Sequence, residues 1–201
     1  MTRIILNIIR ILFFGLAIFE SANLFGFLHF TLDFSWLGLV ITNLAVWFGL
    51  ELIYLFVKKK YNYSLPSIVF IVPLVIVFFD AFGDILKWYS KFSWYDQIAH
   101  FLGGGAAAVV LFFIMHSVVH YRQKNLSNRL IGLFAIGWAN IFGVLYEIEE
   151  YAESYFLKNN RLGDRFDTPN DLLFDVAGSV ICIFLIFLFL KKTKKVRQER
   201  N

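Results

Sequence analysis

Six apolar runs, each long enough to cross a bilayer, constrain this chain more than any other feature. They cover about residues 4–28, 36–57, 67–88, 94–120, 129–156 and 169–190 of 201. A hydrocarbon core of about 30 Å takes roughly 20 apolar residues of helix. In lipid the backbone must satisfy its own hydrogen bonds, which leaves only helices and closed barrels. The expectation is an all-α polytopic membrane protein: a bundle of six transmembrane helices forming one integral membrane domain over residues 1–201.

Composition and punctuation agree. The chain is 59% hydrophobic with a mean hydropathy of +0.65, whereas soluble domains are about half apolar. The second run stops at Lys58, Lys59 and Lys60, and the last at Lys191 and Lys192. Pro66 precedes the third run, and Pro73 inside it predicts a bend. Arg3 and Arg10 beside an apolar run resemble a signal peptide, but no small-residue cleavage site follows, so a retained first helix is expected. Cys182 is alone and can form neither an internal disulfide nor a thiolate metal site. No internal repeat or low-complexity stretch interrupts the pattern.

The net charge of +4 does not point to nucleic acid. Its basic residues stand in short runs beside apolar spans, as in a membrane protein oriented by its loops. With a cytoplasmic N-terminus, fourteen of the nineteen Lys and Arg residues fall inside. Only Lys87, Lys91, Lys158, Arg161 and Arg165 fall outside. Both termini are therefore expected in the cytoplasm. Trp36, Trp88, Tyr89, Trp94 and Tyr95 then form an outer aromatic belt.

The acidic residues divide the other way. Only Glu51 and Glu199 lie towards the inside. Glu20, Asp33, Asp80, Asp84, Asp96, Glu147, Glu149, Glu150, Glu153, Asp164, Asp167, Asp171 and Asp175 lie at mid-membrane or further out. Asp80, His100, Glu147 and Asp175 come from four helices and share a depth at 1.5 Å rise per residue. An ionised group at the bilayer centre costs about 2.5–3.5 kcal/mol on insertion scales, so groups at one level are expected to face one another. Spacing reinforces this. Asp80 and Asp84, Asp96 and His100, Glu149 and Glu153, and the series Asp167, Asp171, Asp175 all repeat every four residues, while Glu147 and Glu150 are three apart. Each set shares a helix face.

Simpler roles account for some of these residues. Ser93 with Asp96, and Thr168 with Asp171, have capping-box spacing, and Pro169 suits a first helical position. Asp175 and His100 lie a turn too deep for that. Glu149 and Glu153 can face water or headgroups. Glu20 has the least company and could pair with Asn43. His116 and His120 look interfacial. Gly103, Gly104 and Gly105, followed by three alanines, read as a close-packing face rather than a phosphate loop.

Three stretches carry a family resemblance: Trp94-Tyr95-Asp96-Gln97-Ile98-Ala99-His100-Phe101, Tyr146-Glu147-Ile148-Glu149-Glu150, and Asp167-Thr168-Pro169-Asn170-Asp171-Leu172-Leu173-Phe174-Asp175-Val176-Ala177-Gly178. Together they resemble the signature of the YjdF-like inner-membrane family, for which no activity is established. Their order also resembles the broader VanZ-like pattern, associated with glycopeptide-antibiotic tolerance, and Arg165, Asp171 and Gly178 fit it. At Glu150 and Asp175 the chain departs from that pattern, which tends to have Gln and Asn there. The resemblance covers about half the chain. It implies a bacterial cytoplasmic membrane protein and supplies no reaction.

Carboxylates with one histidine are ligands for a hard or borderline divalent cation such as Mg²⁺, Mn²⁺, Ca²⁺ or Zn²⁺. One histidine and no cysteine argue against zinc. The candidate metal ligands are Asp96, His100, Glu147, Glu150, Asp171 and Asp175, with Asp80, Asp84 and Asp167 as a second tier and Arg165 placed to hold a phosphate. Three functions fit. The first is an intramembrane enzyme, such as a metal-dependent hydrolase acting on a lipid or envelope precursor. The second is a non-catalytic factor with a structural ion site. The third is a proton- or cation-coupled transporter. Against transport, the inner half lacks a matching polar path apart from Glu51, Asn140 and Asn43, and no inverted repeat is present. The lipid bilayer is the one partner implied. Oligomeric state is left open.

Overall fold

The computed structural model describes residues 3–158 and 161–198; Glu199 and Arg200, both assigned to the inner side, lie outside them. The described residues form seven helices and no strand. These are α1 (Arg3–Leu24), α2 (Trp36–Tyr61), α3 (Ile68–Ile85), the single-turn α4 (Trp88–Lys91), α5 (Tyr95–Tyr121), α6 (Asn128–Leu157) and α7 (Asp167–Gln198). All but α4 are long and apolar enough to span a membrane, α7 through Asp167–Lys192.

The helix ends follow local chemistry. The first helix stops at Leu24, not Leu28, because Gly26 takes a left-handed φ of +76°. Phe27 N–H then donates to the Ala22 carbonyl at 2.8 Å and Gly26 N–H to Asn23 at 3.0 Å, closing the end as a Schellman motif. The third helix ends at Ile85, three residues short of expectation. Lys87 turns left-handed (φ 57°) and starts α4, which no sequence period announces. Ser35 caps α2 by accepting from Gly38 N–H at 3.1 Å, and Ser127 caps α6 by accepting from Leu130 N–H at 3.2 Å. The lysines 58–60 continue α2 as helix rather than ending it. Lys58 lies over the Tyr54 ring and Lys60 over Phe56. Pro73 stands inside α3, where its missing N–H leaves the Val69 carbonyl without a helical donor.

Two apolar cores result. One joins α1, α2 and α3 around Phe13, Leu65, Val69 and Phe70; the other joins α5, α6 and α7 around Phe112, Ile131, Ala135 and Ile183. Large apolar residues such as Ile4, Leu133 and Phe184 point outward, towards what would be lipid. The buried set, by contrast, includes Glu20, Asn43, Asp84, His100, Glu147, Glu150, Asp171 and Asp175.

Successive spans alternate in direction, so the C-terminal ends of α1, α3 and α6 meet the N-terminal ends of α2, α5 and α7. The acidic residues collect at this one end. The opposite end carries the Arg10–Glu51 ion pair, 2.5 Å between Nη2 and Oε2, and the aromatic group of Tyr61, Tyr63 and Tyr121.

Candidate metal centre

Close helix packing builds the centre. At α5 and α7 the backbones nearly touch. A Cβ on Gly104 would sit 2.5 Å from the Asp175 carbonyl oxygen, and one on Gly105 would lie 2.7 Å from Cys182 Sγ. One on Gly178 would overlap the Phe101 carbonyl. Only glycine permits this approach; of the Gly103–Gly105 run, Gly104 and Gly105 make it and Gly103 does not. Gly143 on α6 likewise leaves the space that the Asp175 carboxylate fills. These contacts bring the polar faces of α5, α6 and α7 together.

His100 stands at the meeting point. Its Nδ1 is 3.4 Å from Asp175 Oδ2. Its Nε2 is 3.6 Å from Glu147 Oε1 and 4.0 Å from Asp96 Oδ1. An Nδ1–H donated to Asp175 leaves Nε2 as a lone-pair ligand facing carboxylates, the usual arrangement of a metal-binding histidine with an orienting acid behind it. Two sets of donors close enough to hold one cation share this residue. They are Asp96, His100 and Asp171, and His100, Glu147 and Glu150, with the donor atoms of each set within 4.8 Å of one another.

Two carboxylates single the cluster out. Asp171 is 0% exposed, Glu147 is 5% exposed, and neither oxygen of either side chain has a donor in normal hydrogen-bond geometry, although the Thr168 hydroxyl stands near Glu147. Desolvating a carboxylate without a partner is costly. A divalent cation held with His100 would supply the missing partner, to Asp171 in the first set and to Glu147 in the second. The capping alternative fails for both residues it named. Trp94, not Ser93, stands at the start of α5 without a side-chain cap bond, and Asp171 accepts no backbone N–H.

The expected partnership at one depth holds for three groups of four. His100, Glu147 and Asp175 meet, whereas Asp80 accepts from the Tyr89 hydroxyl at 2.6 Å. Asp84 is structural: its Oδ1 accepts from Asp33 N–H at 2.8 Å and Phe34 N–H at 2.9 Å, tying the α1–α2 loop to α3. Asp167, half-buried, packs its carboxylate beneath Gly163 (φ +66°). Glu20 does pair with Asn43, whose Nδ2 donates to Oε2 at 2.8 Å, and both are fully buried. Glu153, expected at the surface, is buried and accepts from the Ser35 hydroxyl.

Arg165 lies outside the cluster, exposed, with its guanidinium 4.6 Å over Phe166. The arginine that enters the bundle is Arg161. Its Nη2 is 2.9 Å from Glu150 Oε1 and donates to the Tyr146 hydroxyl at 2.6 Å. Its guanidinium stacks 4.1 Å over Phe34. Burial opposes its charge, but Tyr146, Glu150, Tyr89 and Asp80 outweigh burial and hold its pKa well above the usual arginine value. Beside it is a narrow cavity with room for about one water, lined by Asp80, Asp84, Glu149, Glu153 and Ser35 among others. Burial, then Asp80, pushes the Tyr89 phenol well above its ordinary pKa, so it stays a donor. Sequence spacing misses Arg161, because a loop residue has no period to align it with a helix face.

Fold and site together define a polytopic helical membrane protein with a buried carboxylate–histidine cluster at one end. Residues 8–192 match the family described as predicted membrane protein (DUF2238), and the chain belongs to it. The match is consistent with the YjdF-like resemblance of the three motifs. No curated protein and no solved structure matches the chain.

Proposed function

We propose that this protein is a metal-dependent intramembrane enzyme, a hydrolase or a related lipid- or envelope-precursor-modifying enzyme, working at the outer leaflet of a bacterial cytoplasmic membrane. One observation carries the reading: Asp171 and Glu147, buried carboxylates without a donor in normal hydrogen-bond geometry, stand with Asp96 and Glu150 around His100 in two sets that could each hold a cation. A cation held there would lower the pKa of a bound water and polarise an ester or phosphoryl oxygen. His100 and the carboxylates would bind it, and Asp175 would fix the imidazole. Asp96 is only partly buried, which gives a substrate headgroup a way in.

Transport is less well supported. Below the cluster, the described buried residues become apolar around Phe112, Ile131 and Ala135. Asn140 and Ser179 are satisfied by each other and by backbone carbonyls. An accessory factor with a structural ion site shares the metal centre and differs only in turnover.

Comparing lipid and envelope-precursor profiles of cells with the wild-type protein and with His100→Ala tests the enzyme. The expected result is accumulation of one headgroup-bearing species in the variant; identical profiles contradict it. Orientation follows from the basic residues. A cysteine placed at Lys158 should react with an impermeant thiol reagent added to intact cells, and protection there would reverse the topology.

A further inference from the structure

We propose that Arg161 is the positioning residue of the metal centre: it fixes Glu150 as a ligand and thereby sets the site's affinity for its cation. This rests on the metal-site reading above. Glu150 is 2% exposed on α6, among the polar groups of the cluster. A carboxylate there can point in several directions unless something holds it. Arg161 takes Oε1 at 2.9 Å. One oxygen remains for a cation shared with His100 and Glu147.

Arg161 is itself held on several sides. The Tyr146 hydroxyl accepts from Nη2, and the rings of Phe34, Tyr89 and Tyr146 surround the guanidinium at 4.1, 5.3 and 5.8 Å. Phe34 precedes α2 and Tyr89 belongs to α4. Arg161 therefore ties Glu150 to elements on the α1–α3 side of the bundle as well as to its own loop. Tyr146 also stacks edge-on to His100, with ring centroids 5.7 Å apart. The Arg161–Tyr146–Glu150 unit thus braces two neighbouring parts of the cluster. A planar fork suits this task, and a lysine would not reproduce it.

Two effects of Arg161 on a cation oppose each other. Its charge repels the cation, and its hold on Glu150 orients a ligand. Partners that orient a metal ligand are worth about 10–100-fold in affinity. The proposal holds that orientation dominates.

The test is Mn²⁺ affinity of purified protein, read as free Mn²⁺ by electron paramagnetic resonance, for wild type, Arg161→Lys, Glu150→Gln and the double variant. Arg161→Lys keeps the charge and removes the fork, so a loss of binding reports geometry. Expected are a loss of about 10-fold or more in each single variant and no further loss in the double variant, since both act through one carboxylate. Melting temperatures without metal monitor folding. If Arg161→Lys fails to fold, Tyr146→Phe, which removes one brace and keeps the ring, should weaken Mn²⁺ binding instead. Unchanged or tighter binding in the folded variants, or additive losses in the double variant, overturns the positioning role while leaving the site standing. A wild type that binds no Mn²⁺ or other divalent cation overturns both.

Discussion

A carboxylate that leaves water for the interior of a helical bundle needs compensation, and Asp171 finds no hydrogen bond to provide it, while Glu147 has only the nearby Thr168 hydroxyl. Without a cation, they and their acidic neighbours repel one another around His100. An amide of the same shape removes that repulsion and replaces a charged ligand with a weaker neutral one. Asp171→Asn and Glu147→Gln should therefore melt at or above the wild-type temperature without metal, yet lose the rise in melting temperature that Mn²⁺ gives the wild type. Thermal unfolding in detergent, with and without Mn²⁺, checks this; variants that keep the full metal-dependent rise would show that these oxygens bind nothing. Most of the cluster was legible in the sequence. Asp96 with His100, Glu147 with Glu150, and Asp171 with Asp175 obey the helical period, and depth placed His100, Glu147 and Asp175 at one level. Asp80 was misplaced because depth carries no information on azimuth. Spacing singled out Arg165 and passed over Arg161, because neither lies on a helix whose geometry could decide between them.

At the scale of elements, the centre depends on how closely α5 and α7 approach. Gly104, Gly105 and Gly178 form that contact, and membrane helices generally use small residues in this way. Gly178→Ala would place a methyl group against the Phe101 carbonyl. Overpacking of this kind costs about 1–3 kcal/mol, so the variant should melt at a lower temperature and bind Mn²⁺ more weakly. Gly103 has no heavy atom within 4 Å of its missing Cβ. Gly103→Ala should be neutral or slightly stabilising through helix propensity. Equal melting temperatures for the two variants would remove the crossing from the account. The packing role of the glycine run was readable from its composition, and its partner helix was not, because a small-residue face has no label for what it meets. The ends of α1 and α3 were missed for a different reason. Apolar continuity ran past Leu24 and Ile85, while backbone turns at Gly26 and Lys87 ended the helices.

At the scale of the molecule, six spans put the acidic residues at one end and left the other end with Arg10, Glu51 and a tyrosine group. The number and order of spans were set by hydropathy alone, since lipid admits few other solutions. Apolar residues face outward, carboxylates face inward, and the two apolar cores flank a polar end. Such an arrangement is costly to assemble unless the polar end binds something. Elemental analysis of the purified protein, wild type against a His100→Ala/Asp175→Asn double variant, measures that directly. The account predicts a stoichiometric divalent metal in the wild type and its loss in the variant; the same metal content in both, or none in either, would contradict it.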